Sequence, residues 1–382
     1  MPFPFRRHWP VYVAALALLA AALWLGPRAD VSSGEPLPAQ LSDRAFWKMI
    51  GDFSEADGFF RSDNLISNES TFQHVIPALT KSPAKLGVYI GVGPDQNFTY
   101  ITALAPRLVF IIDIRRQNLL LHLMYKAMIE MSEDRADFLS RLFARARPAG
   151  LTRTSPPEAL FDAFESAQAD EALFQTNLKT VLDRLTVQHG FTLSRQDVQS
   201  IEYVDRAFFI GGPELRYSFP RQFGGGRWFP SYAELMLESD ERGGRHSYLA
   251  TDESYQALRT MERRNLIVPL TGDFGGDKTI RAVSRYLKAH GATVNWFYTS
   301  NVEQYLFQSD AWKRFFSNVA TLPIDEHATF IRAFFNMGAR FPSSTANGQI
   351  RSATLIEPIS DAIGAVRDGR IQTYYDVIER SK

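Results

Sequence analysis

The chain has 382 residues, with 42 basic and 42 acidic side chains, 45% hydrophobic residues and no cysteine. This length suits one large domain or two ordinary ones, and the apolar content supports a substantial core. The absence of cysteine excludes disulfides, thiolate metal sites and a cysteine nucleophile. The balanced charge gives no indication of a nucleic-acid partner.

Residues 1–28 have the pattern of a signal peptide or membrane anchor. Arg6 and Arg7 precede an uninterrupted apolar run from Val11 to Leu25, which is the order of charge and apolar sequence found in secretory signals. The run is shorter than the roughly 20 residues of a comfortable membrane span. A cleaved signal and an uncleaved anchor therefore both remain open.

This N-terminal segment also bears on the location of the rest of the chain. If residues 11–26 hold the protein at a membrane, the positive-inside rule places its bulk outside the cytoplasm. Residues 29–40 are a polar linker, and we expect residues 41–382 to form a single α/β domain.

The central stretch runs from Leu86 to Asn118. It predicts a strand ending at Gly91-Val-Gly93, a short helix, and a continuous apolar strand closed by Asp113. A glycine turn before a helix N-terminus suits a phosphate or nucleotide ligand, and an acid at the next strand end can bind ribose hydroxyls. Asp113 follows Gly93 by 20 residues, close to the spacing of about 20 expected for that acid.

Two departures distinguish this stretch from a full dinucleotide or methyltransferase fingerprint. Gln96 or Asn97 stands where a third glycine is usual, and Tyr89 stands where methyltransferases usually carry an acid. The alternative interpretation is a buried βαβ unit whose glycines make only a turn.

A second α/β unit begins with a buried strand at Asn265 to Leu270, followed by a helix from Thr279 and a strand from Thr293 to Tyr298. Small and acidic residues follow both strands. In open α/β sheets, ligands bind outside the carboxyl ends of the strands. If the strands are parallel, four polar side chains of this unit share the edge of Gly93 and Asp113, namely Asp273, Asp277, Asn301 and Glu303.

Long helical patterns occupy the region after Asp113, with an inserted helical section around residues 150–200. Val198 to Ile210 suggests an irregular apolar segment. His122 lies on an apolar helix face and fits a satisfied core histidine better than a ligand.

Two polar loops have two interpretations each. The polar residues between Asp63 and Glu69 either cap helices and form turns or belong to a loop folded over the ligand pocket. Gly211 to Leu237 is either a lid or an ordered surface crossing.

Several standard motifs are missing from the sequence. There is no HExxH, paired-histidine or cysteine spacing for a metal, no G-x-S-x-G elbow and no GxxxxGK[ST] loop. We therefore predict no metal site, and hydrolases with these standard motifs are disfavoured.

The phrases GVGPDQNFTYI, FIIDIRRQN, DNLISNE, PLTGDFGGDK and YTSNVEQYLF resemble those of an uncharacterised bacterial protein family. The resemblance implies a Rossmann-like open sheet flanked by helices, similar to class I S-adenosylmethionine-dependent methyltransferases. By that analogy Gly91 and Gly93 border the cofactor, Asp113 binds its ribose and Asp273 lies near the methyl-transfer position.

These expectations give two sets of site residues. The cofactor-binding set is Gly91, Gly93, Asp95, Asn97, Asp113 and Arg115. The catalytic set is Asp273 and Glu303, either of which could remove a proton from the methyl acceptor.

Three functions remain open at this point. The first is an S-adenosylmethionine-dependent methyltransferase, which mainly aligns two reactants. Export would separate the domain from this cytoplasmic cofactor, so the second is a membrane-anchored Rossmann-like protein that binds a small molecule or a partner without catalysis. A transferase acting on sugars or lipids is a third, and the lack of an Asp-x-Asp motif counts against its usual form.

Overall fold

A computed structural model describes residues 36–81, 87–217, 229–335 and 352–381 of the chain. The predicted signal or anchor and most of the linker lie outside these ranges, as do residues 218–228 of the predicted lid or crossing. Across the described ranges, no helix combines the length and apolar character needed to cross a membrane.

The fold is α/β, built on a six-stranded mixed sheet in the order β3-β2-β1-β4-β5-β6. Strands β1 to β5 run parallel, and β6 pairs antiparallel with β5 at one edge. Every residue of β1, β2 and β3 is buried, as expected for parallel strands covered on both faces. The strands are β1 (Val88–Gly91), β2 (Leu108–Asp113), β3 (Ile267–Thr271), β4 (Val294–Ser300), β5 (Ile324–Phe335) and β6 (Ser352–Pro358).

Helices cover both faces of the sheet and fill the long connection between β2 and β3. This connection also contains a π-helical turn (Arg184–Gln188) and a 3-10 turn (Gly212–Glu214). The helices are α1 (Asp43–Phe53), α2 (Ile76–Leu79), α3 (Gln96–Leu104), α4 (Arg116–Met131), α5 (Arg135–Phe143), α6 (Pro157–Ser166), α7 (Glu171–Asp183), α8 (Arg195–Gly211), α9 (Tyr232–Leu237), α10 (Asp252–Arg263), α11 (Thr279–Ala289), α12 (Val302–Gln308), α13 (Trp312–Val319), α14 (Ile359–Arg367) and α15 (Tyr374–Arg380).

The predicted irregular segment from Val198 to Ile210 is wrong, because these residues belong to helix α8. Ser194 and Asp197 form a reciprocal capping box at its N-terminus. Ile201, Val204 and Phe208 are buried, and their spacing of three and four residues places them on one helix face. The apolar residues of this segment form the buried face of a helix.

The segment before β1 crosses the carboxyl edge of the sheet. Residues 54–73, here called the covering segment, are hydrogen-bonded to several strand ends. The backbone N–H of Glu55 donates to Thr271 O at 2.8 Å and that of Gly58 donates to Ile114 O at 2.9 Å. The Thr71 hydroxyl donates to Ser352 O at 2.6 Å. The covering segment therefore lies over the edge at which the sequence predicts a ligand.

Candidate functional site

A cavity of about 450 Å³ opens at the carboxyl ends of β1 to β4, beneath the covering segment. Its size falls in the range of about 300 to 1,000 Å³ that small-molecule sites occupy. Aromatic and apolar side chains alternate with amides, carboxylates and two arginines. The lining includes Phe59, Phe60, Asn64, Ser67, Asn68, Glu69, Gly93, Gln96, Asp113, Arg115, Tyr217, Asp273, Phe274, Tyr298, Ser300, Asn301, Tyr305, Leu306, Ser309 and Arg314.

The turn after β1 reaches this cavity through Gly93. Its φ of +79° lies in the left-handed region that favours glycine. His122 Nε2 lies 2.9 Å from Gly93 O. Burial lowers the pKa of His122 to about 4, so the neutral ring donates to that carbonyl. His122 is thus a core histidine, as the sequence predicts, and it fixes the turn.

The two departures from the fingerprint are partners of each other. The Tyr89 hydroxyl donates to Asn97 Oδ1 at 2.8 Å, and the Asn97 amide donates to Pro94 O at 2.7 Å. A Cβ on Gly91 would overlap both Asn97 and Tyr89. Gly91 and Asn97 lie outside the cavity lining, so the structure places them under the turn and in no position to touch a ligand in the cavity.

Asp95 is also directed away from the cavity. It is buried and accepts a hydrogen bond from the Tyr248 hydroxyl at 2.9 Å. Burial raises the pKa of Asp95 to about 7, although the Tyr248 hydrogen bond lowers it. The structure thus separates Asp95 from the predicted cofactor site.

Asp113 and Arg115 do line the cavity, where they form a buried pair. Asp113 Oδ1 accepts from the backbone N–H of Arg115 at 2.9 Å and from its Nε at 3.1 Å. Asp113 Oδ2 accepts from Arg115 Nη2 at 3.3 Å. Arg115 Nη1 donates to Ser62 O at 2.6 Å and also to Asp63 O. The pair therefore ties the end of β2 to the covering segment.

Only one of the two predicted catalytic acids lines the cavity. Asp273 lines the cavity, where its Oδ1 accepts from the backbone N–H of Gly275 at 2.8 Å. Glu303 lies outside the lining, and Arg332 Nε donates to its Oε2 at 2.6 Å. Arg332 Nη1 also donates to Glu357 Oε2 at 2.9 Å. All three side chains are buried, so Glu303 forms part of an internal ion network behind the site.

A polar cluster that the site prediction omitted lies where the covering segment meets β4. The Tyr298 hydroxyl donates to Glu69 Oε1 at 2.7 Å, and the Ser300 hydroxyl donates to the same oxygen. The Gln96 amide donates to the Tyr298 hydroxyl. Burial raises the pKa of Glu69 to about 7, opposed by the hydrogen bonds from Ser300 and Tyr298. Of the loop between Asp63 and Glu69, Asn64, Ser67, Asn68 and Glu69 line the cavity, which agrees with the second interpretation of that loop.

The described residues include no group of three or more His, Asp or Glu side chains that could hold a metal ion. The cavity offers a glutamate whose pKa is raised to about 7, a serine hydroxyl, several amides and an arginine-paired aspartate.

Fold and cavity together define an α/β protein with a ligand-sized site at the carboxyl edge of its sheet. The chain belongs to the family described as Domain of unknown function (DUF7790), whose model matches residues 65–360. No curated protein matches the chain. Membership of an uncharacterised family agrees with the resemblance found in the sequence, and the methyltransferase kinship stays a prediction.

Proposed function

We propose that the cavity binds S-adenosylmethionine and that the protein is a methyltransferase-like enzyme with a Rossmann-like core. The observation that carries the proposal is the cavity's position. The parallel strands have the order β3-β2-β1-β4-β5, so the strand order reverses between β1 and β4. Open α/β sheets bind ligands at such a switch point. Gly93 follows β1 at that point, and Asp113 ends the neighbouring strand β2.

The Asp113–Arg115 pair leaves room for part of a ribose. A carboxylate offers about four lone-pair sites, and Arg115 occupies two on Oδ1 and one on Oδ2. One site on Oδ2 is left, which is enough for one hydroxyl. The aromatic rings of Phe60 and Tyr305 meet edge to face at 5.0 Å in the cavity wall and supply apolar surface for a base.

When bound, the cofactor supplies an activated methyl group, and the chain's task is alignment. Asp273 lines the same cavity and can take a proton from an acceptor. Glu303 is a weaker choice for that role because Arg332 occupies its carboxylate.

One observation favours the second candidate, a binding protein without methyl transfer. Arg115 neutralises the Asp113 carboxylate and takes most of its acceptor sites. A site built this way suits a ligand that needs no diol recognition. The predicted export of the domain favours the same candidate.

Calorimetric titration of the full-length protein with S-adenosylmethionine and S-adenosylhomocysteine tests the proposal. We expect micromolar binding that weakens at least tenfold in Asp113→Asn. This change replaces the carboxylate oxygen that would accept from a ribose hydroxyl by an uncharged amide group. Asp197→Asn is the matched control, since it breaks the Arg116–Asp197 pair outside the cavity and should bind normally. Absence of binding at millimolar concentration would overturn the methyltransferase proposal and leave the binding protein.

A further inference from the structure

Ser300 has the backbone of a residue at a functional turn. It is the last residue of β4, lines the cavity, and has a φ of +53°. A positive φ is uncommon for residues other than glycine and clusters at functional sites. Helix α12 begins two residues later, at Val302. Ser300 therefore lies on a sharp turn from strand to helix, the arrangement that exposes the nucleophile of α/β hydrolases.

The hydroxyl of Ser300 is hydrogen-bonded to a carboxylate that can act as its base. Ser300 Oγ donates to Glu69 Oε1, and the Tyr298 hydroxyl holds the same oxygen at 2.7 Å. Glu69 Oε2 is buried without a hydrogen-bond partner among the described residues. A nucleophile bonded to a base, with the base oriented by a third group, is the signature of covalent catalysis.

Glu69 is suited to this role by its surroundings. Burial raises the pKa of Glu69 to about 7, and a general base works best when its pKa is near the operating pH. Ordinary glutamates are far weaker bases, with a pKa of about 4.3.

We propose that Ser300 is a nucleophile activated by Glu69, and that the cavity accepts an ester or thioester of an apolar acyl group. The apolar preference follows from the rings of Phe59, Phe60 and Phe274 in its wall. The amides of Asn68 and Asn301 line the same cavity and can donate to a developing oxyanion. This inference does not depend on the proposed cofactor.

The reaction balances with water as the second reactant. Ser300 Oγ forms a bond to the acyl carbon while its proton passes to Glu69. The bond from the acyl carbon to the leaving oxygen or sulfur breaks, and the leaving group takes the electron pair and the proton from Glu69. Water then attacks the acyl-serine, gives a proton to Glu69, and the acyl carbon–Oγ bond breaks as Oγ regains that proton.

The sequence motif for such a serine is missing here because its flanking residues differ. Tyr298 and Val302 occupy the two positions that the glycines of G-x-S-x-G would hold around Ser300. The turn is formed instead by Ser300 itself in the left-handed conformation.

Labelling of the full-length protein with diisopropyl fluorophosphate, read by intact mass and peptide mapping, tests the inference. We expect one adduct, on Ser300, formed at a rate that rises with pH around a midpoint near 7. The adduct should be lost in Ser300→Ala and in Ser300→Gly, which suits the left-handed φ. In Glu69→Gln the rate should fall at least tenfold and lose this midpoint.

Ser309→Ala is the matched control, because Ser309 also lines the cavity and donates to Tyr305 O at 2.9 Å. It should label as the wild type does. Failure of the wild type to label, or an adduct that persists in Ser300→Ala, would overturn the inference. Neither result bears on S-adenosylmethionine binding, so the two proposals fail separately.

Discussion

Replacing Asp95 by asparagine should make stability less dependent on pH. Asp95 is buried with its carboxylate against the Tyr248 hydroxyl, and burial raises its pKa from 3.8 to about 7. In the unfolded chain the group is ionised above pH 3.8, whereas in the folded protein it holds its proton to about pH 7. A raised carboxyl pKa means that stability is lost as pH rises between these two values.

The magnitude follows from the window between pH 5 and pH 8. Over about 2 of those units the folded protein keeps a proton that the unfolded chain has released. Each unit is worth about 1.4 kcal/mol, so the wild type loses about 3 kcal/mol through this group. Asparagine does not titrate, and its oxygen can still accept from Tyr248.

The assay is urea unfolding of both proteins at pH 5, 6, 7 and 8. The stability difference, Asp95→Asn minus wild type, should rise by about 3 kcal/mol across the series, and constant packing effects cancel in that change. Asp134→Asn is the control. Burial raises the pKa of Asp134, but hydrogen bonds from Arg147 and from the α5 N-terminus lower it overall. Its difference should therefore be constant above pH 5.

A constant difference for Asp95→Asn would refute the reasoning, because it would show that Asp95 is ionised in the folded protein at pH 5. A tenfold loss of S-adenosylmethionine affinity in the same variant would place Asp95 in the cofactor site, where the sequence predicted it and the geometry does not.

Two further predictions concern residues first assigned to the site. Glu303→Gln should cost about 3 kcal/mol in unfolding free energy, because it breaks a buried ion pair with Arg332. Ligand affinity should be unchanged. Unchanged stability in urea unfolding together with weaker binding in calorimetry would place Glu303 in the ligand site. Gly91→Ala should cost about 1 to 3 kcal/mol through overlap with Asn97. Gly364→Ala, in open space on α14, should instead gain about 0.5 to 1 kcal/mol, and equal thermal shifts would contradict the overlap.

Much of the sheet could be predicted because its signals are local. Buried parallel strands are short apolar runs between turns, so Leu108 to Ile112 and Asn265 to Leu270 indicated β2 and β3 within one or two residues. Gly93 and Asp113 then followed from their positions at strand ends, and both line the cavity.

The rest of the site depends on contacts that sequence spacing does not contain. The direction of Asp95 is set by Tyr248, which lies 153 residues away. Arg332, on β5, binds the carboxylate of Glu303 and holds it away from the cavity. Glu69 and Ser300 are separated by 231 residues, so neither one alone predicted the pair. The polar residues of the covering segment were a signal, but one shared with ordinary turns.

The covering segment also has a consequence for the order of folding. Its hydrogen bonds join Glu55 to Thr279 and Thr71 to Ser352, across 224 and 281 residues. Contacts of such long sequence separation carry a large loop-closure cost and form slowly. During synthesis the segment emerges early, whereas these partners on α11 and β6 emerge late. The cover of the cavity can therefore be completed only after β6 has been synthesised, and a chain truncated before β6 lacks the hydrogen bond between Thr71 and Ser352.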